Sequence, residues 1–135
     1  MKKIKWSDKY KTGISDIDEQ HEKIFSIINR LYDHIKNGIQ ERPDEILKDL
    51  DDYISIHFST EMKFFVIYNY PEAAKHNDKH SQFSDKLRTY TSNMEITSKE
   101  LHNLYYLLES WFETHILTID MAFRDYMKFN SDYVF

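Results

Sequence analysis

Residues 57–80 read HFSTEMKFFVIYNYPEAAKHNDKH, and this stretch holds two pairs of potential metal ligands, His57 with Glu61 and His76 with His80. Each pair is spaced by four residues. On a helix of about 3.6 residues per turn, the second side chain of such a pair returns to within about 40° of the first. Each pair can therefore point at one object. Between them Asn69-Tyr70-Pro71 breaks the pattern, because proline ends one helix and suits the opening turn of the next. The two ligand-bearing helices are expected to be antiparallel neighbours around a metal site.

Outward from this stretch the chain reads as helix almost throughout. Residues 1–17 carry no helical period but hold Trp6, Tyr10 and Gly13, an arm expected to lie over the rest, with Trp6 packed inward. A first helix is predicted to start at Asp16 or Asp18, where acidic side chains suit the positive terminus, and to close at Gly38. Its apolar stripe is Ile17, Ile24, Phe25, Ile28, Leu31, Tyr32 and Ile35, with His21 inside it. Pro43 opens a second helix, whose face runs Ile46, Leu47, Leu50, Tyr53, Ile54, His57, Glu61, Phe64, Phe65 and Tyr68. A third, from about Pro71 to Thr91, aligns His76, His80, Phe83 and Leu87. Thr97 and Glu100 form a capping box for the fourth, which presents Leu101, Leu104, Tyr105, Leu108, Trp111, Phe112 and His115. The segment Met121 to Phe129 adds a short terminal helix. The fold class is all-α: an up-down-up-down four-helix bundle over about residues 18–128, with an N-terminal arm and a short C-terminal helix, the whole of 1–135 forming one domain.

Composition narrows the chemistry. The 135 residues include only two glycines and two prolines, which favours helices over a turn-rich sheet, and aromatics reach 16%, so rings must fill much of the core. Cysteine is absent, which excludes disulfides, iron–sulfur clusters, thiolate zinc sites and covalent haem. Any metal must be held by His and carboxylate. A net charge of −5 without a basic cluster argues against nucleic acid as a partner. The basic start Met1-Lys2-Lys3-Ile4-Lys5-Trp6 leads into no apolar run, so neither a secretory signal nor a membrane span is expected, and the cytoplasm is the expected location.

Helical phase sorts the seven histidines. His34 follows His21 by thirteen residues and His102 precedes His115 by thirteen, a rotation of about 220°. With His21 and His115 facing inward, His34 and His102 face away. A lone inward histidine is more often a hydrogen-bonded core residue than a ligand. Five imidazoles and two carboxylates on inner faces, however, are costly to bury unless they share a partner. Asp120 follows His115 by five residues, which a regular helix would rotate by about 140°. It is either a surface residue, or the helix loosens between Ile116 and Ile119, at a wide turn or bulge, and brings it to the same centre.

The matching residues are Trp6, the run Gly13-Ile14-x-x-Ile17-Asp18-x-Gln20-His21, then His57-Phe58-x-x-Glu61, Tyr70-Pro71, His76-x3-His80 and Trp111-x3-His115-x4-Asp120. With them the chain resembles the hemerythrins, most closely the bacterial single-domain type, over essentially its whole length. The resemblance implies two iron ions. His76, His80 and His115 would hold one, His21 and His57 the other, and Glu61, Asp120 and an oxo or hydroxo group would bridge them. That set leaves two octahedral ions one bond short, on the His21/His57 side, where the family admits dioxygen without changing the net charge of the buried centre. Phe25, Phe58, Trp111, Phe112 and Leu117 are candidate walls of the oxygen pocket, and equally plain core. Two departures stand out: Phe112 lies where the family commonly has leucine, and Met62 where many bacterial members have a second glutamate.

The function so implied is reversible oxygen binding for storage, delivery or sensing, by a protein that is not an enzyme. The rival is a di-iron oxidase or peroxidase. Ferritin-like oxidases carry Glu-x-x-His pairs, and none of the histidines here has Glu three residues before it. A redox-dependent regulatory module acting through a partner ranks third.

Overall fold

The computed structural model describes residues 1–38, 42–93 and 95–135. All its regular structure is helical: α1 (Ser15–Asn37), α2 (Pro43–Ile67), α3 (Ala73–Thr91), α4 (Ser98–His115) and α5 (Met121–Asn130), with a 3₁₀ turn at Asp8–Tyr10. Contacts run α1–α2, α2–α3, α3–α4 and α4–α1, the closed ring of an up-and-down bundle. A π-helical segment, Ile116–Asp120, joins α4 to α5, so the terminal helix continues the fourth rod.

Local chemistry sets the ends of these rods. Helix α1 begins at Ser15, ahead of the predicted Asp16 or Asp18, because Asp18 reaches back and accepts from Thr12 N (2.9 Å), Thr12 Oγ1 (2.8 Å) and Gly13 N (3.0 Å). Gly13 there has φ +84°. Helix α2 ends in a Schellman turn: Asn69 is left-handed (φ 54°), Tyr70 N donates to Phe65 O (2.9 Å) and Asn69 N to Val66 O (3.4 Å). Pro71 and Glu72 form the turn beyond, and α3 opens at Ala73 rather than at the proline. The expected capping box is half made. Thr97 Oγ1 accepts from Glu100 N (3.1 Å), while the Glu100 carboxylate receives the Thr97 hydroxyl (3.0 Å) and Asn93 Nδ2 (2.8 Å).

The arm packs as expected. Ile4 is buried, its N–H donates to the Tyr105 hydroxyl (3.1 Å), and Asn29 Nδ2 donates to Ile4 O (2.8 Å). Trp6 and Tyr10 meet Phe25 edge-on at 5.6 and 5.1 Å.

Two apolar clusters fill the interior. The larger includes Ile24, Phe25, Ile54, Phe58, Phe83 and Phe112. The smaller joins Ile14, Ile17, Phe65 and Tyr70 to Phe123 and Met127 of α5. On every long rod the buried His and carboxylate side chains fall between residues of the two clusters, forming a polar layer between them.

Candidate metal centre

Helix α1 delivers His21, α2 His57 and Glu61, α3 His76 and His80, α4 His115, and the π segment Asp120. All seven are buried. The spacing of four on α2 and α3 does what helical geometry requires, bringing each pair to one side of its rod. Asp120 arrives by the loosened route. The backbone N–H of Met121 bonds to Ile116 O, five residues back, which widens the helix and swings Asp120 under His115. Thr118 Oγ1 donates to Thr114 O (2.6 Å), a side-chain bond of the kind that bends helices.

The donor atoms fall into two sets. Glu61, His76, His80, His115 and Asp120 form one; His21, His57, Glu61 and Asp120 form the other; within each, the donors lie within 4.8 Å of one another. Both carboxylates belong to both sets. In the first, His76 Nε2 lies 3.1 Å and His80 Nε2 3.2 Å from His115 Nε2. Asp120 Oδ1 is 3.0 Å from His76 Nε2 and 3.2 Å from His115 Nε2, and Glu61 Oε2 is 3.2 Å from His76 Nε2. In the second, Asp120 Oδ2 stands 3.1 Å from His21 Nε2, and Glu61 Oε1 2.7 Å from His57 Nε2.

These edges fit a metal. Metal–imidazole bonds of about 2.1 Å meeting at right angles put neighbouring donors about 3.0 Å apart. Protons alone satisfy the cluster poorly: both oxygens of Glu61 and of Asp120, and both ring nitrogens of His21, are buried without a well-formed hydrogen bond. A shared cation would satisfy all of these groups at once. His34 and His102 are in neither set and are half-exposed, and His102 Nδ1 lies 2.8 Å from Ser98 O of its own helix.

Electrostatics agree with that donor set. Burial and the Asp120 charge push the Glu61 carboxyl up, but the His57 charge and the contacts with His57 and His76 outweigh them and hold it at about 2. Asp120 is likewise held well below the usual carboxylate range: burial opposes ionisation, and His115, His21 and His76 overcome it. Burial drives His80 down to about 3, helped by His76 and His115. Burial lowers His76 as well, yet its contacts with Asp120 and Glu61 prevail and raise it to about 9. The carboxylates are anionic and His80 is a neutral donor at pH 7.

Of the proposed pocket walls, two touch imidazoles of the first set. Phe58 stacks on His80 at 3.8 Å and 4°, and Trp111 on His115 at 4.2 Å and 12°. Phe25 reaches the centre through Trp6, whose ring lies 6.5 Å from His21. Phe112 is buried edge-on to Trp111 (4.9 Å) and Phe83 (5.5 Å), and Leu117, half-buried in the π segment, packs on the larger cluster. Met62 is exposed. Two neighbours of the centre were given no place at it by the sequence reading. Phe65 packs on His76 at 4.7 Å, and Gln20 Oε1 lies 2.7 Å from His57 Nδ1. Gln20 stood in the run that carries the family resemblance, beside His21, but helical phase does not turn adjacent residues toward the same partner.

Comparison with known proteins points to one family. The family model of the hemerythrin HHE cation binding domain matches residues 12–125, from the Thr12 turn to beyond Asp120. A bacteriohemerythrin of Clostridium acetobutylicum is 28% identical over 127 residues, covering 89% of this chain and 98% of that protein. One from Stenotrophomonas maltophilia is 28% identical over 130 residues, covering 95% and 84%. A hemerythrin-like protein of Naegleria gruberi is 26% identical over 120 residues, covering 88% and 89%. No helix among the described residues is long and apolar enough to cross a membrane. A bundle whose rods carry a buried His/Glu/Asp cluster able to hold metal, matched by that domain over most of its length, places the chain in the hemerythrin family.

Proposed function

We propose that this chain binds dioxygen reversibly at two iron ions held by His21, His57, Glu61, His76, His80, His115 and Asp120. The observation that carries the reading is that Glu61 and Asp120 belong to both donor sets, as bridging carboxylates between two ions must. Bound there, the irons would supply two electrons to dioxygen and recover them on release. The protein's part is asymmetry and dryness. Three imidazoles would hold one ion and two the other, which would leave the place for an external ligand beside His21 and His57. Five imidazoles against two carboxylates leave a donor set suited to reversible exchange rather than strong oxidation. The apolar clusters on either side keep water and stray protons away from the bound ligand.

Two irons per chain by metal analysis are the first requirement. Stopped-flow mixing of the diferrous protein with oxygen then gives a long-lived spectrum that reverses under vacuum. Rapid decay with consumption of an added reducing substrate assigns the site to an oxidase or peroxidase instead.

A further inference from the structure

A run of hydrogen bonds ends on His57, and its direction is fixed by its first member. Ile56 O is a carbonyl and only accepts, so the Thr60 hydroxyl donates to it (3.1 Å). With its proton spent, Thr60 Oγ1 accepts from Gln20 Nε2 (3.0 Å). The amide of Gln20 is thereby oriented, and its Oε1 faces His57 Nδ1 at 2.7 Å. An amide oxygen accepts only, so Nδ1 carries a proton, which leaves Nε2, 2.7 Å from Glu61 Oε1, as the nitrogen that a metal would take. The Nδ1 atoms of His21, His76 and His80, by contrast, are buried without a hydrogen-bond partner.

We infer that Gln20 is the positioning residue of the two-histidine half of the centre: through Thr60 it locks His57 in the Nδ1–H tautomer, aims Nε2 inward, and sets how tightly that half holds its ion. The inference rests on the dinuclear reading above. A partner of this kind orients a ligand imidazole and raises its basicity, and its loss typically weakens metal binding about 10- to 100-fold. The run springs from α2, the helix that carries His57, and crosses to α1 and back. It therefore also fixes the register of the two helices where the smaller donor set is assembled.

The test is a cobalt(II) titration of metal-free protein, followed by visible absorbance, which needs neither iron nor oxygen. Wild type takes up two ions, the first at the three-histidine set. Gln20→Leu weakens the second event by ~10- to 100-fold and leaves the first within ~2-fold. Thr60→Val, which frees the amide to turn over, shifts the second event the same way by less. Gln20→Glu, whose carboxylate still accepts from Nδ1–H, restores or tightens it. Nitrogen NMR of the zinc-loaded protein reads the proton on His57 Nδ1 directly. A second event unchanged in Gln20→Leu, or both events weakened alike, overturns the role given to Gln20 while the dinuclear reading stands. A wild-type protein that accepts only one cobalt ion overturns the dinuclear reading and this inference with it.

Discussion

His115 and Asp120 are five residues apart on one continuous rod, yet His115 Nε2 lies 3.2 Å from Asp120 Oδ1. A regular helix would turn them about 140° apart. The widened hydrogen bond from Met121 N to Ile116 O makes the difference, and it also sets the rotation of α5, which carries Phe123 and Met127 into the smaller cluster.

Deleting Thr118, an exposed residue of that segment, converts it to ordinary α-helix and removes the extra residue that the wide turn absorbs, so the aspartate falls four residues after His115, about 40° away, and α5 keeps its phase. Phe123 and Met127 then stay in their cluster. Thermal unfolding of the metal-free variant shows a Tm close to wild type, and metal analysis shows retained ions. A variant that loses both stability and metal would mean that the wide turn itself, and not the facing it restores, is what the site needs.

Glu61→Ala removes an oxygen donor from both sets at once. The expected result is fewer ions per chain than in wild type, measured on protein loaded under identical conditions. Full retention with an unchanged spectrum would rule out Glu61 as a shared ligand.

Protons compete with metal at His76. Its imidazole is raised to about 9 by Asp120 and Glu61 against the pull of burial, so at pH 7.5 metal must displace a proton there. Calorimetric titrations in buffers of different ionisation enthalpy reveal that release, and apparent affinity climbs with pH until it levels off above about 9. The metal-free fold has its own pH profile. The stabilisation from His76 is complete below about 6.5 and is lost as pH rises through about 9. That from Glu61 is present above about 4.5 and is lost as pH falls toward about 2. His80, lowered to about 3, makes the unfolded chain bind more protons between about 3 and 6.5, so stability rises with pH across that window. Denaturant titrations of the metal-free protein should therefore place maximum stability near pH 6.5. A maximum above 8 would contradict the assigned charges.

Asp18→Ala strips the acceptor from Thr12 N, Thr12 Oγ1 and Gly13 N, costing about 2 kcal/mol. Asp18 faces the arm rather than the centre, so metal content stays at the wild-type level. A melt combined with metal analysis separates the two effects, and a variant of normal stability would show that the Thr12 turn holds itself.

Much of this was legible in the sequence because helical phase is a strong filter. The spacing of four in His57/Glu61 and His76/His80 gave two ligand pairs, thirteen-residue spacings turned His34 and His102 away, and Asn69 before Pro71 marked the break between helices. Phase was silent where the helix stops being regular: Asp120 had two readings, and only the π segment decides between them. It also missed Gln20, because that residue's partners, His57 and Thr60, sit on a different rod. Helix starts slipped where a side chain acts at a distance, as Asp18 does in drawing the opening of α1 back to Ser15.

The layer of donors between the two apolar clusters would make cargo and scaffold inseparable. All four long rods cross that plane through a donor atom rather than through hydrocarbon, so ions held there would be bolts in the frame as much as freight. A lineage that evolved to give up its metal readily would loosen its own architecture at the same joint.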